Sequence, residues 1–284
     1  MITRTNDEVR AHVHDMWAAV ADAWGQHADD VDRRGAELTA RMLAVAAPER
    51  GDRVLELACG AGGAGLAAAA RVGSDGEVVL SDVVAEMTSI AGDRARRLGL
   101  TNVRVATLDL EQIAEPDGAY DVVLCREGLM FAVDPQRACT EIYRVLRPSG
   151  RVAVSVWGPR QQNPWLGVVF EAVGAVTGFP VPPPGMPGPF ALEDEVQLRT
   201  YLTTAGLADV VVEQLQMPLR SPSFEAWWNR TKAVAGPVAS IINRLDASAV
   251  AVLEERLRVA VAPYTTASGV ELPGLVLLAS AYRP

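Results

Sequence analysis

Residues 55–65 read LELACGAGGAG, an apolar run that opens into a glycine-rich turn. The glycines at 60, 62 and 65 fit the pattern G-x-G-x-x-G. Glycine between a strand and a helix permits positive φ and lets a ligand approach the backbone closely. The pattern alone is weak, because the chain has 24 glycines. The apolar run before it and the alanine-rich run after it strengthen the prediction of a nucleotide-binding turn.

Strand-like and helical segments alternate on both sides of this turn. The apolar runs predicted as strands are 53–58, 77–81, 102–107, 120–125, 150–157, 209–215 and 274–282. The helical patterns between and after them are 63–72, 84–98, 134–146, 193–205, 223–233 and 246–260. Such alternation indicates a parallel sheet with helices on both faces. The predicted fold class is therefore α/β, a Rossmann-like, doubly wound and mostly parallel sheet of seven strands.

Helical segments outside this core predict a cap over the ligand site. Residues 6–24 and 29–47 have the three- and four-residue apolar spacing of two amphipathic helices. Residues 179–189, FPVPPPGMPGP, hold six of the 18 prolines and predict a rigid loop. We expect an N-terminal helical cap over residues 1–48 and a main domain over residues 49–284. Within the main domain, residues 159–207 and 218–270 are expected to form helical or proline-rich cap segments.

Composition narrows the partners of the 284-residue chain. With 26 basic and 35 acidic residues its formal net charge is −9, so binding to nucleic acid gains little from counterion release. No apolar run is long enough to predict a membrane span. The three cysteines have no metal-ligand spacing. We expect a cytoplasmic protein that binds a small molecule, without metal or nucleic acid, and a homodimer stays open.

An acidic residue inside the apolar run distinguishes two classes of ligand. Glu56 lies four positions before Gly60, where it would repel a pyrophosphate but attract an ammonium or sulfonium group. The alternative interpretation is that Glu56 caps backbone amides of the glycine turn. Asp82, twenty positions after Gly62, suits the two hydroxyls of a ribose. The chain does not contain the Tyr-x-x-x-Lys motif that would support a reductase, because Lys232 is its only lysine and Trp228 lies four positions before it.

Five sequence blocks carry a family resemblance. In order they are VLELACGAGGAGLAAAA, VVLSDVVAEM, LDL, YDVVLCREGLMF and RVLRPSGRVAVSVW. Together they resemble the class I S-adenosylmethionine-dependent methyltransferases, within them the ubiquinone and menaquinone biosynthesis branch (methyltransferase type 11). The resemblance is firm over residues 50–160. Ala58 departs from the glycine that the family often has, although alanine is also usual in the quinone branch.

The resemblance implies a cofactor, S-adenosylmethionine, whose product is S-adenosylhomocysteine, and an acceptor that is a small aromatic or lipophilic metabolite such as a quinol or polyketide. It implies that Glu56 holds the methionine ammonium, that Gly60 and Gly62 approach the methionine part, that Asp82 binds the ribose, and that Asp109 binds the adenine amino group. The other cofactor residues it implies are Ala58, Val83, Met87, Leu108, Leu110, Cys125 and Arg126. Two alternative functions stay open, a non-catalytic cofactor-binding protein and an NAD(P)-dependent reductase.

Two residues are candidates for a general base that removes a proton from the acceptor. His27 could reach the acceptor from the N-terminal helices, although a histidine at a helix end also interacts with the helix dipole. Glu127 follows the fourth strand, although it could instead pair with Arg126 or Arg137. The residues expected to form an apolar acceptor pocket are Trp24, Met130, Phe131, Trp157, Trp165 and Phe190.

Overall fold

The computed structural model describes residues 5–183 and 185–284, which contain ten strands. The strands are β1 (Arg53–Leu57), β2 (Glu77–Asp82), β3 (Val103–Thr107), β4 (Tyr120–Arg126), β5 (Leu146–Trp157), β6 (Ala208–Gln216), β7 (Leu219–Ser221), β8 (Thr265–Thr266), β9 (Gly269–Leu272) and β10 (Leu275–Tyr282). Seven of them form the main sheet in the order β3-β2-β1-β4-β5-β10-β6, and β7, β9 and β8 form a small second sheet.

The main sheet confirms the predicted fold class. Strands β1 to β5 are parallel, and only β10 runs antiparallel to its neighbours β5 and β6. The chain order reverses between β2-β1 and β4, which creates a crevice at the carboxyl ends of these strands. Ligands bind at such a reversal in open α/β sheets. The central parallel strands β1, β2 and β4 are buried along almost their whole length, as a sheet covered by helices requires, whereas the edge strand β3 is largely exposed.

Twelve α-helices surround the sheets in the described ranges. They are α1 (Asn6–Ala18), α2 (Ala21–Gln26), α3 (Ala28–Arg34), α4 (Ala36–Ala46), α5 (Gly63–Val72), α6 (Ala85–Arg97), α7 (Pro135–Val145), α8 (Pro164–Thr177), α9 (Glu195–Thr204), α10 (Phe224–Val234), α11 (Gly236–Ile242) and α12 (Ala247–Val261). Helices α4 and α5 pack on each other and on the sheet, and α7 and α9 form a second such pair. None of the helices in these ranges is long and apolar enough to cross a membrane.

The N-terminal region differs from its prediction, since four helices occupy the place of two. The breaks fall at Ala19–Val20, at His27 and at Gly35. Glycine weakens a helix, but the apolar spacing continues across each break and therefore does not reveal it. The breaks have a consequence for the site, because they turn the short helix α3 toward the glycine-rich turn.

Two further elements have no counterpart among the predicted segments. Helix α8 is apolar nearly all round and half of its residues are buried, so it lacks the one-sided pattern that identifies an amphipathic helix. The small sheet is built from strands of two to four residues, too short for a periodic signal. The proline-rich segment 179–189 has neither helix nor strand at its described positions, and Pro184 lies outside the described residues.

Asn163 fastens the antiparallel strand β10 to the rest of the domain. Its side chain is fully buried, and its amide donates to the carbonyl oxygens of Gly158, Pro159 and Leu275 at 3.0–3.2 Å. Its carbonyl oxygen accepts from the Leu275 amide at 3.0 Å and from the Trp165 indole at 3.2 Å. One side chain therefore satisfies backbone groups of two segments that are 112 positions apart in sequence.

We predict that Asn163→Ala lowers the free energy of unfolding by about 3 kcal/mol, because it leaves several buried polar groups without partners. The measurement is chemical denaturation of the variant beside the parent protein. Asn243→Ala is the matched control, since Asn243 is exposed and should change stability by less than about 0.5 kcal/mol. Equal stability of the two variants would contradict the role of Asn163.

Candidate functional site

A cleft lies at the carboxyl ends of β1, β2 and β4, where the strand order reverses. It encloses about 1020 Å³, part of which is open to solvent. Its lining consists of Arg10, Val13, His14, Trp17, Trp24, Glu56, Ala58, Cys59, Gly60, Asp82, Val83, Met87, Leu108, Asp109, Leu110, Glu111, Arg126, Glu127, Gly128, Phe131, Ala132 and Val133. The lining thus brings together ten of the twelve cofactor residues that the sequence predicts.

The glycine-rich turn forms one wall of the cleft. Gly60 has φ +52° and Gly62 has φ +90°, in the left-handed region that favours glycine. The Gly60 amide donates to Asp82 Oδ2 at 2.9 Å, which ties the turn to the end of β2. Ala58 also has positive φ, +51°, a backbone conformation that costs alanine more than it would cost glycine. The turn is therefore held in one conformation by neighbouring side chains.

Glu56 lies in β1 beneath this turn, with only 1% of its surface exposed. Its Oε2 atom accepts from the Gly65 amide at 2.8 Å, which is the capping role that the sequence left open. A Cβ atom at Gly65 would collide with Leu80 and lie 2.6 Å from Glu56 Oε2, so this position requires glycine. Burial raises the pKa of Glu56 to about 7, although Arg126 and the Gly65 amide oppose the shift. Because Glu56 also lines the cleft, its carboxyl group is available to a ligand.

Two further carboxylates lie along the cleft beyond the turn. Asp82 accepts from the Gly60 and Val84 amides at 2.9 and 3.0 Å, and burial raises its pKa against these hydrogen bonds. Asp109 accepts from the Glu111 amide at 2.8 Å. Each carboxylate keeps lone pairs for a ligand. The side chains that separate these polar groups are apolar, namely Val83, Met87, Leu108 and Leu110.

An ion-pair network connects the N-terminal helices to the turn. Asp32 of α3 lies 2.6 Å from Arg94 and 3.4 Å from Arg126, and both arginines are more than nine-tenths buried. Arg94 also donates to the Ala61 carbonyl in the turn at 2.7 Å. A Cβ atom at Gly63 would collide with the Asp32 carboxylate. The first residue of α5 is therefore glycine because the carboxylate approaches the backbone there.

Helix α1 closes the cleft from the opposite side. Arg10 lies 2.6 Å from Glu111 Oε2, and Glu111 Oε1 accepts from the Val133 amide at 2.6 Å. The Trp17 ring meets Phe131 edge-on with centroids 4.9 Å apart. These α1 contacts and Glu111 were not among the predicted site residues. The only sequence signal was the apolar face of α1, since Arg10 and Glu111 are 101 positions apart.

Of the two predicted bases, Glu127 lines the cleft. Its φ is +57°, and its Oε1 atom is buried without a hydrogen-bond partner among the described residues. Burial raises its pKa, while Arg126 and Arg34 oppose the shift. Neither a hydrogen bond nor an ion pair under 4 Å joins it to Arg126 or Arg137, in contrast to the alternative interpretation. His27 is half-buried between α2 and α3 and does not line the cleft.

Besides His27, six predicted residues lie away from the cleft wall. Gly62 faces Leu80 and Ala91, and Cys125 is fully buried in β4, where burial raises its pKa to about 12. The remaining four, which the sequence assigns to the acceptor pocket, pack in the core and are Met130, Trp157, Trp165 and Phe190. Trp157 and Trp165 stack on each other at 4.8 Å. Trp24 and Phe131 are the two members of that set that line the cleft.

Comparison with known proteins finds a family match over part of the chain. The family model described as "Methyltransferase domain" matches residues 48–165. The ubiquinone/menaquinone biosynthesis C-methyltransferase UbiE of Idiomarina loihiensis is 37% identical over 106 residues, which are 37% of this chain and 42% of that protein. The chain therefore spans less than half the length of this curated relative.

Solved structures extend the likeness in fold to most of the chain. The YcgJ protein of Bacillus subtilis has a TM-score of 0.59 at 20% identity, with 86% of this chain and 97% of that chain covered. A protein described as a putative methyltransferase of Bacillus halodurans has a TM-score of 0.57 at 19% identity, with 87% and 98% covered. At such identities the likeness concerns the fold alone.

The buried Glu56 leads to a prediction about stability and pH. Because its pKa is raised on folding, the native state binds more protons than the unfolded state between about pH 4.5 and 7. Stability therefore falls as pH rises through this window, by about 3 kcal/mol at most. In Glu56→Gln this loss should be absent, so the variant should gain stability relative to the parent from pH 5 to pH 8.

Denaturation of the ligand-free protein at several pH values measures this difference. Glu37→Gln removes the same formal charge at an exposed position and should follow the pH dependence of the parent. The raised pKa of Asp82 is common to all three proteins and cancels in the comparison. Parallel curves for Glu56→Gln and the parent would refute the assignment.

Proposed function

We propose that this protein transfers a methyl group to a small aromatic or lipophilic acceptor, and that residues 48–165, which match the family model described as a methyltransferase domain, form a class I S-adenosylmethionine-dependent methyltransferase. The observation that carries the proposal is the arrangement of the cleft. Carboxyl groups occur at Glu56, Asp82 and Asp109, and apolar side chains lie between them. This set of hydrogen-bond acceptors suits a ligand with a cationic amino-acid end, a ribose and a base.

The residues present fit the cofactor, group by group. Glu56 would hold the methionine ammonium, since a carboxylate stabilises that charge in a buried site. Asp82 would accept hydrogen bonds from the ribose hydroxyls, and Asp109 from the adenine amino group. Val83 and Met87 would cover the base. A pyrophosphate fits poorly beside Glu56, and this argues against the nicotinamide alternative.

The chain contributes alignment, exclusion of water and a proton acceptor to the reaction. When bound, the cofactor supplies an electrophilic methyl group on a sulfonium with a good leaving group. The aromatic walls Trp17, Trp24 and Phe131 would align a planar acceptor and keep water out. Glu127 would take the proton that the acceptor loses, because its Oε1 atom has no hydrogen-bond partner in the described part of the chain and its raised pKa makes it a better base than a solvated carboxylate.

The acceptor is proposed to be methylated at carbon, as in quinone precursors. Support comes from the name C-methyltransferase in the curated relatives and from the aromatic rings on the cleft wall. Methylation of an activated ring carbon requires removal of the ring proton, a task for which Glu127 is suited. The cytoplasmic location and the homodimer remain predictions.

Calorimetry with S-adenosylhomocysteine tests cofactor binding. The parent protein should bind it in the micromolar range, and Asp82→Ala should weaken binding roughly 100-fold, because the ribose loses its charged acceptor. Asp75→Ala removes an exposed acid from the turn before β2 and should bind like the parent. Absence of binding by the parent would refute the proposal, as would tight binding of NADPH in place of the adenosyl ligand.

Turnover of the methyl donor with a panel of quinols and phenols tests Glu127. We expect Glu127→Gln to lower kcat by about 100-fold or more while cofactor affinity changes little, since a general base acts in the chemical step. Glu37→Gln controls for loss of a carboxylate, because Glu37 is exposed and does not line the cleft. Unchanged kcat in Glu127→Gln would exclude Glu127 as the base, and cofactor binding without turnover on any acceptor would favour the non-catalytic alternative.

A further inference from the structure

Three aromatic side chains form one wall of the cleft. The Trp17 ring stands edge-on to the rings of Trp24 and Phe131, with centroids 5.9 and 4.9 Å apart and interplanar angles of 76° and 86°. All three side chains line the cleft. The Trp24 indole nitrogen donates to the Val234 carbonyl at 2.9 Å, which fixes this ring between α2 and the end of α10. The aromatic wall is therefore held in place by the fold before any ligand binds.

The aromatic wall and the end of β4 both border the glycine-rich turn. A Cβ atom at Gly60 would lie 3.4 Å from two carbon atoms in the six-membered ring of Trp24, so that ring lies directly against the turn. A Cβ atom at Gly128 would collide with Ala58, so the backbone that follows Glu127 lies against the same turn from β4. The Glu127 carboxyl group and the aromatic wall therefore belong to the same end of the cleft.

Acidic groups outnumber basic groups on the cleft lining. Five carboxyl groups line the cleft, those of Glu56, Asp82, Asp109, Glu111 and Glu127. The two guanidinium groups on the lining are already paired, Arg10 at 2.6 Å from Glu111 and Arg126 at 3.4 Å from Asp32. The buried Oε1 atom of Glu127, in contrast, has no hydrogen-bond partner in the described ranges. A buried acceptor without a donor is costly, so a ligand that brings an N–H group to Glu127 is bound with a gain.

The combination of aromatic rings and an unpaired carboxyl group suits a cation. Aromatic rings attract a positive charge through their quadrupoles, and a carboxylate forms its strongest hydrogen bonds with charged donors. A neutral hydroxyl group gains only the hydrogen bond, and an anionic group is repelled by the excess of carboxyl groups. A protonated amine gains both interactions, since its N–H groups can donate to Glu127 while its charge lies beside the rings.

We propose that Glu127, Trp17, Trp24 and Phe131 form a cation subsite that admits a small aromatic or lipophilic amine as a further class of methyl acceptor. This rests on the proposed function and extends it from carbon to nitrogen. The amine enters as its ammonium form, and Glu127 takes one N–H proton. The freed lone pair of nitrogen forms the new N–CH3 bond while the S–CH3 bond breaks and its electron pair stays on sulfur. The products are the methylated ammonium, S-adenosylhomocysteine and the protonated Glu127 carboxyl group.

Calorimetry on the full-length protein saturated with S-adenosylhomocysteine tests the subsite, because the neutral sulfur of this ligand leaves the cation subsite to the probe. The probes are 2-phenylethylamine, which is protonated at about pH 7, and 2-phenylethanol, its uncharged analogue of the same size. We expect the amine to bind roughly tenfold or more tightly than the alcohol. Glu127→Gln should abolish this preference, and Trp24→Leu should reduce it by roughly threefold or more.

Glu37→Gln and Phe179→Leu are the matched controls for the lost carboxyl group and the lost ring. Glu37 is exposed, Phe179 is 74% exposed, and neither lines the cleft. Both variants should keep the preference of the parent for the amine. Binding of S-adenosylhomocysteine by each variant establishes that the variant is folded. A parent protein that binds S-adenosylhomocysteine but shows equal affinity for amine and alcohol would refute the subsite and leave the proposed function standing.

A second experiment distinguishes an acceptor amine from the sulfonium of the methyl donor as the cation that the subsite holds. With S-adenosylmethionine, the parent should convert 2-phenylethylamine to its N-methyl derivative, detected by mass spectrometry. Amine binding without N-methylation would overturn the amine as an acceptor, and a preference that persists in Glu127→Gln would overturn the subsite. The amine proposal would also fail if S-adenosylmethionine bound more tightly than S-adenosylhomocysteine in a Glu127-dependent way while the amine showed no preference over the alcohol.

Discussion

The paired contacts of Asp32 with two buried arginines hold the site together. Arg94 comes from α6 and Arg126 from the end of β4, while Asp32 belongs to the N-terminal helices. Taking three charges out of water is costly unless each finds close partners. The network provides these partners. Arg94 also donates to the Ala61 carbonyl, and this hydrogen bond fixes the glycine-rich turn. The N-terminal region is therefore part of the ligand site and not an independent cap.

The same network determines the electrostatics of the cleft. Glu56 is buried under the turn, and Arg126 is the main group that favours its ionised form. A pKa near 7 leaves this carboxyl group poised between its two states, so a cationic ligand that stabilises the charged form removes much of the cost of burying it. Glu56 and Glu127 are thus two carboxyl groups in one cleft whose pKa values are both raised by burial.

Local sequence signals predicted the sheet and the floor of the cleft. The run 53–58 forms β1, the glycine-rich turn follows it, Asp82 ends β2 and Asp109 comes shortly after β3. In a parallel sheet these strand ends meet at one edge. Long-range contacts left no such signal. The pair of Arg10 and Glu111 depends on how α1 folds back, which the helix periodicity does not encode. Large side chains such as Trp157 failed as pocket predictions because they fill a core as readily as they line a cavity.

Helix α1 has a kinetic consequence for any bound ligand. It covers part of the cleft, where the ion pair between Arg10 and Glu111 and the contact between the Trp17 and Phe131 rings hold it. A ligand that lies against Arg10 and Trp17 would lose its contacts with α1 when this helix opens locally, so such opening would shorten its residence time. The rate of release would then depend on the stability of α1 as well as on the contacts that the carboxyl groups of the cleft could make.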